Sequence, residues 1–341
     1  MGVKHYLIIF LVFFIMLLSR QGETGKAPSI VSNHPLLLIR YIYGINTAGK
    51  RDTPESGGTP VSFAQNSAGR LYLLYTGNRS EIQVVDPNGA LLFRFGEQGE
   101  KEWQFSSYIC GMAINSKGEV LVADVKRRRI PVFDEKGNFR RSFSSIQGLT
   151  RHDPKQDTSP SHIAVGPTDR VYISDGRNGH VWIHAPGGEF LRSLGGPEPG
   201  RFPSAGPICF DSRGRIYVLE GIPNRIQVCT PEGNPLRQIG ETGSRAGEFL
   251  RISGLAIDSR DRIYATDIVQ CVVQIFGSEG DLVGVVKEYS TPEGESRGFV
   301  SPSGIMIGRD DVIYVIEQPL HRVVVLKQPS EDDRAVDRKG N

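Results

Sequence analysis

The chain has 341 residues, and its 40 Lys and Arg residues nearly balance 38 Asp and Glu residues, which leaves a net charge of +2. This near neutrality argues against a general nucleic-acid binder, whose affinity rests on neutralising phosphates. The 40 Gly and 21 Pro residues supply many turns, and long amphipathic helical patterns are absent, so the composition favours an all-β protein.

The N-terminus differs in composition from the rest of the chain. Lys4 and His5 precede thirteen uninterrupted apolar residues, Tyr6 to Leu18, and polar residues follow. A positive segment before a short apolar run is typical of a secretory signal, and a transmembrane helix needs roughly 20 residues. No small-x-small cleavage motif follows, so residues 1–26 are interpreted as either a signal peptide or an N-terminal membrane anchor, with residues 27–33 as a linker. Both interpretations predict an exported protein, either periplasmic, extracellular or membrane-anchored and facing outward.

One segment recurs about every 45 to 51 residues and has the pattern of four short strands. In the copy from Gly206 to Gly240, four apolar or alternating runs are separated by turns such as Asp211–Gly214 and Thr230–Gly233. Such a sheet needs neighbours to bury its faces, so the repeats predict a six-bladed β-propeller of four-stranded antiparallel blades over residues 34–328. The strand after the first turn appears six times, as GRLYLLY, GEVLVAD, DRVYISD, GRIYVLE, DRIYATD and DVIYVIE.

The sixth copy lacks its fourth strand, and a matching strand precedes the first copy. Residues 35–44, PLLLIRYIYG, resemble the fourth strands of other copies, such as LLFRFG from Leu91. We therefore expect this N-terminal strand to complete the last blade, because closing the ring leaves no unit with an open edge. The charged residues 329–341 are expected to form a disordered tail.

The repeat resembles the NHL repeat. The segment GEFLRISGLAIDSRDRIYATDIVQCVVQIFGSEGDLV has Gly-x-Phe before its first strand, Gly-Leu-Ala-Ile-Asp in it, Ile-Tyr-x-x-Asp in the second and Val-Gln-Ile-Phe in the third. The likeness extends from Pro35 to Gln328 and is weaker in the third copy, which carries His162 where a Gly is usual. The resemblance implies a propeller but no particular activity, because the family spans ligase subunits, receptor sensor domains, lyases and scaffolds.

An acidic residue closes the second strand in five of the six copies, and Tyr75 is the exception. A ring of metal-binding carboxylates is one interpretation. A residue shared by nearly every unit is better explained by shared structure, so we expect each carboxylate to accept hydrogen bonds from the loop that follows it. The residues are Asp124, Asp175, Glu220, Asp267 and Glu317.

The residues near the start of each innermost strand decide whether the chain could carry a catalytic site. In six-bladed enzymes that the chain resembles in outline, such as gluconolactonase-like hydrolases and the peptide-amidating lyase, ligands gather near the axis at these positions. Only His162 could ligate a metal or move a proton here, whereas a catalytic zinc takes about three protein ligands. We therefore expect no catalytic residue, metal or cofactor, and His162 is interpreted either as a channel-lining residue or as part of a ligand site. The positions are Ser62, Gly111, His162, Pro207, Gly254 and Gly304.

The loops are where the copies differ most, and propellers usually carry recognition there. The basic run of Lys126, Arg127, Arg128 and Arg129 is interpreted as a binding surface or as a solvated loop, and Arg129 matches Arg225 and Arg322 in register. Trp103 lies where other copies have Gly or small polar residues, so it either anchors a ligand or covers the edge of the ring. His152 belongs to another long connection, residues 145–159.

The four cysteines show no spacing typical of a metal site. Cys209 and Cys229 lie in one predicted sheet, so a bridge between them is conceivable in an exported protein, and isolated apolar thiols are the alternative. The other two are Cys110 and Cys271.

These patterns favour a non-catalytic exported or membrane-tethered module that displays loops to a protein, a glycan or other extracellular polymer, or a small ligand. No nucleic-acid partner is expected, and residues 6–18 would provide any membrane attachment. The alternative is a metal-dependent lactonase- or lyase-like enzyme with an axial site near His162. The expected binding residues are His162, Trp103, Lys126, Arg127, Arg128, Arg129 and His152.

Overall fold

Strands make up nearly all the regular structure of the described chain. The computed structural model describes residues 36–43, 58–77, 79–144, 160–195 and 202–328. Their strands form six antiparallel sheets, and the innermost strand of each sheet contacts that of the next, including the last with the first. The predicted six-bladed β-propeller is therefore confirmed. Two short 3-10 segments span Arg309–Asp311 and Gln318–Leu320, and no helix of the described residues is long and apolar enough to cross a membrane.

Five blades are meanders of four consecutive strands that run outward from the axis. The first contains β2 (Gly58–Gln65), β3 (Leu71–Gly77), β4 (Glu81–Val85) and β5 (Leu91–Phe95), and the second β6 (Ile109–Ile114), β7 (Val120–Asp124), β8 (Arg129–Phe133) and β9 (Phe139–Ser144). The third contains β10 (Pro160–Val165), β11 (Val171–Asp175), β12 (His180–His184) and β13 (Phe190–Gly195), and the fourth β14 (Ala205–Phe210), β15 (Ile216–Glu220), β16 (Arg225–Cys229) and β17 (Pro235–Ile239). The fifth contains β18 (Ile252–Ile257), β19 (Ile263–Asp267), β20 (Val272–Phe276) and β21 (Leu282–Val286).

The sixth blade joins the two ends of the propeller. Its inner strands are β24 (Pro302–Ile307), β25 (Ile313–Glu317) and β26 (Arg322–Lys327), and its fourth strand is β1 (Leu36–Tyr43), antiparallel to β26. The expected closure by the N-terminal strand is thus confirmed. The sequence did not predict that a short hairpin, β22 (Glu288–Ser290) and β23 (Ser296–Gly298), extends this sheet beyond β1 to six strands.

The hydrophobic core lies between the blades. Six clusters of buried apolar side chains each combine residues of two neighbouring blades, one cluster for each junction. The second and third strands are buried along almost their whole length because both faces of each sheet meet a neighbouring sheet. The packing therefore makes the ring one cooperative unit.

The ring presents two faces with different kinds of connection. In an antiparallel meander, the loop between the second and third strands lies at the end where the first strand begins and the fourth ends. The side that carries these loops and the connections between blades is the loop face. The side that carries the tight turns after the first and third strands is the turn face.

Candidate functional site

The acidic residues that close the second strands organise the loop face. The carboxylate of Asp267 accepts from the backbone N–H groups of Val269 and Gln270, both at 2.9 Å, in the loop that follows it. It also accepts from Leu250 at 2.7 Å, in the connection from the preceding blade. Asp175 receives two backbone N–H groups of its own loop in the same way. The expected loop-capping role is confirmed for these two carboxylates, and Asp267 also holds the incoming connection.

Three of these acidic residues form ion pairs with arginines at one repeated position. Arg129 pairs with Asp124, Arg225 with Glu220 and Arg322 with Glu317, each from the first residue of the third strand. Each carboxylate is fully buried and each guanidinium is partly exposed. Arg129 is therefore a member of the repeat, as its register predicted.

Arg127 and Arg129 bind the backbone of the neighbouring connection, residues 97–105. Arg127 donates to the carbonyls of Gln104, at 2.8 Å, and Gly99. Arg129 donates to the carbonyls of Glu102, at 2.8 Å, and Gln104, at 2.6 Å. Half of the basic run thus holds a loop in place, whereas Lys126 and Arg128 are exposed.

Trp103 lies in the connection that the two arginines hold. Its side chain is 38% exposed, and the ammonium of Lys101 lies 5.5 Å from the ring centroid. In the equivalent connection after the fourth blade, the corresponding residue is Gly247, whose backbone φ of +89° favours glycine. Tyr108, which is 56% exposed, follows this connection, and its carbonyl accepts from the N–H of Val125 beside the basic run.

The large exposed apolar side chains fall into two groups. One group occupies the second position of four outermost strands and so belongs to the repeat: Leu92, Leu191, Leu236 and Val283. Every other such side chain of the described residues lies on the loop face: Trp103, Tyr108, Ile222, Val269, Val300 and Leu320. The turn face has none within the described ranges, so the exposed apolar side chains outside the outermost strands are concentrated on the loop face.

His162 lies on the wall of a central channel of about 460 Å³. Its Nδ1 is buried without a hydrogen-bond partner among the described residues, and burial lowers its pKa to about 4. The chain thus holds His162 neutral near pH 7. Among the residues that the structure describes, no three His, Cys, Asp or Glu side chains are arranged to hold a metal ion. The described part of the channel wall contains two side chains of metal-ligating type, His162 and Cys209, which is fewer than the three protein ligands that a catalytic zinc usually takes.

The cysteines are free thiols, so the conceivable Cys209–Cys229 bridge is not formed. Burial raises the pKa values of both thiols above their ordinary range. Burial also raises the pKa of the Cys110 thiol, to about 12. All three are protonated near pH 7, as expected of apolar thiols in a core.

The remaining expectations fall on residues outside the described ranges. These are the signal or anchor at 1–26, the linker at 27–33, His152 with its connection, and the tail at 329–341. They stay predictions from the sequence.

Sequence reasoning missed a set of serine–aspartate bridges between blades on the turn face. Ser212 and Ser259 each donate through backbone N–H and hydroxyl to the carboxylate of the next blade, Asp261 and Asp311, at 2.7–3.0 Å. Ser116 binds Asp169 likewise. The aspartates have φ of 53° to 61°, where other copies have Gly, and the two hydrogen bonds offset that strain. The signal in the sequence was Asp in place of Gly at the last position of the first turn.

The fold places the chain in the class of six-bladed β-propellers, and comparison with known proteins agrees. A family model described as a 6-bladed beta-propeller matches residues 203–284. Protein brain tumor of Drosophila melanogaster is 29% identical over 149 residues, which cover 43% of this chain and 14% of that protein. The B-box type zinc finger protein ncl-1 of Caenorhabditis elegans is 30% identical over 145 residues, which cover 42% of this chain and 16% of that protein. The matched region thus spans about one seventh of these much longer relatives.

Solved structures resemble the chain in fold. A structural genomics protein of unknown function from Bacteroides thetaiotaomicron has a TM-score of 0.62 at 12% identity, covering 84% of this chain and 75% of that one. Virginiamycin B lyase from Staphylococcus aureus has a TM-score of 0.57 at 13% identity, and the match covers 84% of this chain and 99% of that one. At such identities the likeness concerns fold alone.

Proposed function

We propose that this chain is an NHL-type binding module that docks another protein on its loop face. The observation that carries the proposal is the distribution of exposed apolar side chains: apart from the repeated outer-strand positions, those of the described residues lie on this face. Exposed aromatic residues rimmed by polar groups are typical of protein interfaces.

The anchor of the proposed interface is the pair Trp103 and Tyr108. Trp103 lies on the connection whose backbone Arg127 and Arg129 hold, and the carbonyl of Tyr108, just after it, accepts from the N–H of Val125, so both aromatic rings are presented by hydrogen-bonded backbone. An ordered anchor loses less conformational entropy on binding than a mobile one. Lys101 lies beside the Trp103 ring, and exposed glutamates lie on the same connection, so the aromatic anchor has a polar rim of mixed charge. The glutamates are Glu97, Glu100 and Glu102.

A pulldown with matched variants tests the docking face. Tagged wild-type protein, the double variant Trp103→Ala/Tyr108→Ala and the control Leu236→Ala are incubated with envelope extract and culture medium of the native host. Leu236 is 50% exposed but lies on an outermost strand. We expect a protein that wild type and Leu236→Ala retain and the double variant loses. If all three proteins retained the same amount of the partner, the interface would not include Trp103 and Tyr108. If only polysaccharide were retained, the ligand would be a polymer and not a protein.

The proposal includes an exported, outward-facing location, which rests on the apolar run at residues 6–18. Fractionation of the host, followed by N-terminal sequencing, tests this part separately. A mature protein that begins near residue 27 outside the cytoplasm indicates a cleaved signal, and an intact N-terminus in the membrane fraction indicates an anchor. Recovery in the cytoplasm would contradict export without affecting the docking face.

A further inference from the structure

The central channel has a wall without charge. The innermost strands of all six blades line it, and the lining residues include no Asp, Glu, Lys or Arg. Most of them are aliphatic, such as Ile114, Ile257 and Ile307. A charged ligand would lose its hydration there without gaining a counter-charge, so the wall suits an uncharged molecule. A volume of about 460 Å³ lies in the usual range for small-molecule sites.

Most polar side chains of the wall are occupied by contacts within the ring. Ser62 Oγ accepts from the backbone N–H of Met112 at 3.2 Å, and Ser253 Oγ donates to the carbonyl of Ser303 at 2.7 Å. Gln65 donates to the carbonyl of Gly69 and accepts from the N–H of Arg309. These contacts hold neighbouring blades together, and they use the donor of Ser253 and both the donor and the acceptor of the Gln65 amide, while the hydroxyl of Ser62 keeps its O–H donor.

His162 differs from these groups. Its Nδ1 is buried and has no hydrogen-bond partner within the described residues, although the residue lines the channel. A buried N–H without an acceptor is costly, so the proton of the neutral ring belongs on Nε2. His162 therefore offers one hydrogen-bond donor in an apolar, uncharged channel.

We propose that the central channel binds a small, uncharged and largely apolar molecule through a hydrogen bond from Nε2–H of His162 to an acceptor oxygen of the ligand. The carbonyl group of a ketone, ester or amide has the required chemistry. The aliphatic wall takes up the rest of the molecule.

A second cavity adjoins this site on the turn face. It has a volume of about 400 Å³ and shares four lining residues with the channel: Ala164, Val165, Ile208 and Cys209. The junction of the third and fourth blades lacks the serine–aspartate bridge, because Pro167 stands at the serine position and Gly214 at the aspartate position. Ser161 Oγ still joins these blades near the loop face, where it donates to the carbonyl of Ala205 at 2.8 Å. A ligand can therefore enter from the turn face while a protein covers the loop face.

Two probes of similar shape test the proposal: cyclohexanone, which carries an acceptor, and methylenecyclohexane, which does not. Dissociation constants are measured by saturation-transfer NMR titration of the folded protein. In His162→Phe we expect cyclohexanone to bind about five- to tenfold more weakly, the loss of roughly one hydrogen bond, with methylenecyclohexane unchanged. His162→Gln, which keeps an N–H donor, should retain most of the cyclohexanone affinity.

Two further variants locate the site and control for the ring substitution. Ala164→Leu fills the space that the two cavities share, so binding of both probes should be lost. His180→Phe alters a histidine that stacks on Trp182 in β12, with ring centroids 4.6 Å apart, and should change neither constant. Absence of saturable binding to wild type, or equal loss of both probes in His162→Phe, would overturn the proposal. Since the protein partner meets the other face, its recovery with His162→Phe should be normal.

Discussion

His184 stands at a position that is apolar in every other blade. It is the last residue of a third strand, where the other copies have Val85, Phe133, Cys229, Phe276 and Leu326. The side chain is fully buried, its ring packs against Phe143 and Phe190, and Nδ1 lies 3.1 Å from the carbonyl of Gly188. Nε2 has no hydrogen-bond partner in the described part of the chain, and burial lowers the pKa of His184.

This environment predicts a stability that falls in mild acid. The pKa is lower in the folded than in the unfolded state, so below pH about 6.5 the unfolded chain binds a proton that the folded one does not. The contribution of His184 to the free energy of unfolding is therefore fully present above pH about 6.5 and decreases as the pH falls below this value. His184→Phe should flatten this dependence by up to about 1.4 kcal/mol per pH unit. Urea unfolding from pH 7.5 to 5 measures it, and His180→Phe is the control. Parallel curves for wild type and His184→Phe would contradict the prediction.

Residues that repeat were predictable, and residues that break the repeat were not. The register of Asp124 with other copies was enough to assign it a structural role, and the register of Arg129 identified it as part of the repeat although it was also expected to bind a ligand. The third strand of the third blade showed a histidine where apolar residues recur, yet the sequence could not tell a buried neutral ring from an exposed one. Burial of His184 depends on Phe143 of the preceding blade, and that contact is not encoded by local pattern.

The connection at residues 97–105 shows how one element depends on another. A bridge between Gln98 and Phe105 closes it, as a bridge between Thr242 and Phe249 closes its counterpart after the fourth blade. Phe105 is fully buried beneath Gly96, where a Cβ atom would lie 2.2 Å from the ring. The Phe of the Gly-x-Phe signature thus has a packing explanation, whereas Trp103 occupies the Gly position of the signature in this copy. The arginine contacts to this connection had no such signature.

The arginine contacts predict that Arg127 stabilises the Trp103 connection. Arg127→Ala removes two charge-assisted hydrogen bonds from a side chain that is 21% exposed, so we expect a loss of about 2 kcal/mol in local stability. Hydrogen exchange at Gly99 and Phe105, whose N–H groups bond within the connection, should accelerate. Lys126→Ala, at an exposed neighbour in the same run, should leave these rates unchanged. Equal rates in all three proteins would show that the connection is held by its own bonds.

The hairpin of β22 and β23 shows the limit of repeat-based prediction at this scale. Residues 288–298 have no counterpart in the other blades, so the repeat gave them no strand. In the structure Tyr289 is fully buried, and its hydroxyl lies 3.1 Å from that of Tyr41 and 3.2 Å from Nη2 of Arg322. The insertion therefore covers the closing strand, a tertiary contact that local pattern does not specify.

Closure of the whole ring was predictable because it required only a count of strands. Five complete copies and one that lacks its last strand leave a single arrangement without an open edge. The junction of the sixth and first blades has additional polar contacts that no count could supply. Arg40 donates to the carbonyl of Pro87 at 2.6 Å, and the N–H of Arg309 donates to Gln65 at 2.8 Å.

The closing junction uses the same apolar contact as the internal ones. The last apolar residue of a fourth strand packs on the glycine that ends a turn of the next blade: Ile42 on Gly89, Phe95 on Gly137, Phe143 on Gly188, Leu194 on Gly233 and Ile239 on Gly280. Ile42 and Ile239 are 4% and 3% exposed, so the two side chains are buried to the same degree. The closing junction therefore has the same kind of buried apolar contact as a junction within the continuous chain.

This equivalence predicts equal costs for matched substitutions. Ile42→Ala and Ile239→Ala each remove a buried side chain and should each lower the free energy of unfolding by about 2–5 kcal/mol, in a single transition. Deletion of residues 35–44 should cost more and promote aggregation, because it leaves β26 as an open edge. Truncation before residue 35 is the control and should keep the wild-type melting temperature. If Ile42→Ala were much milder than Ile239→Ala, or the deletion melted like wild type, the N-terminal strand would be an accessory to the ring and not its closure.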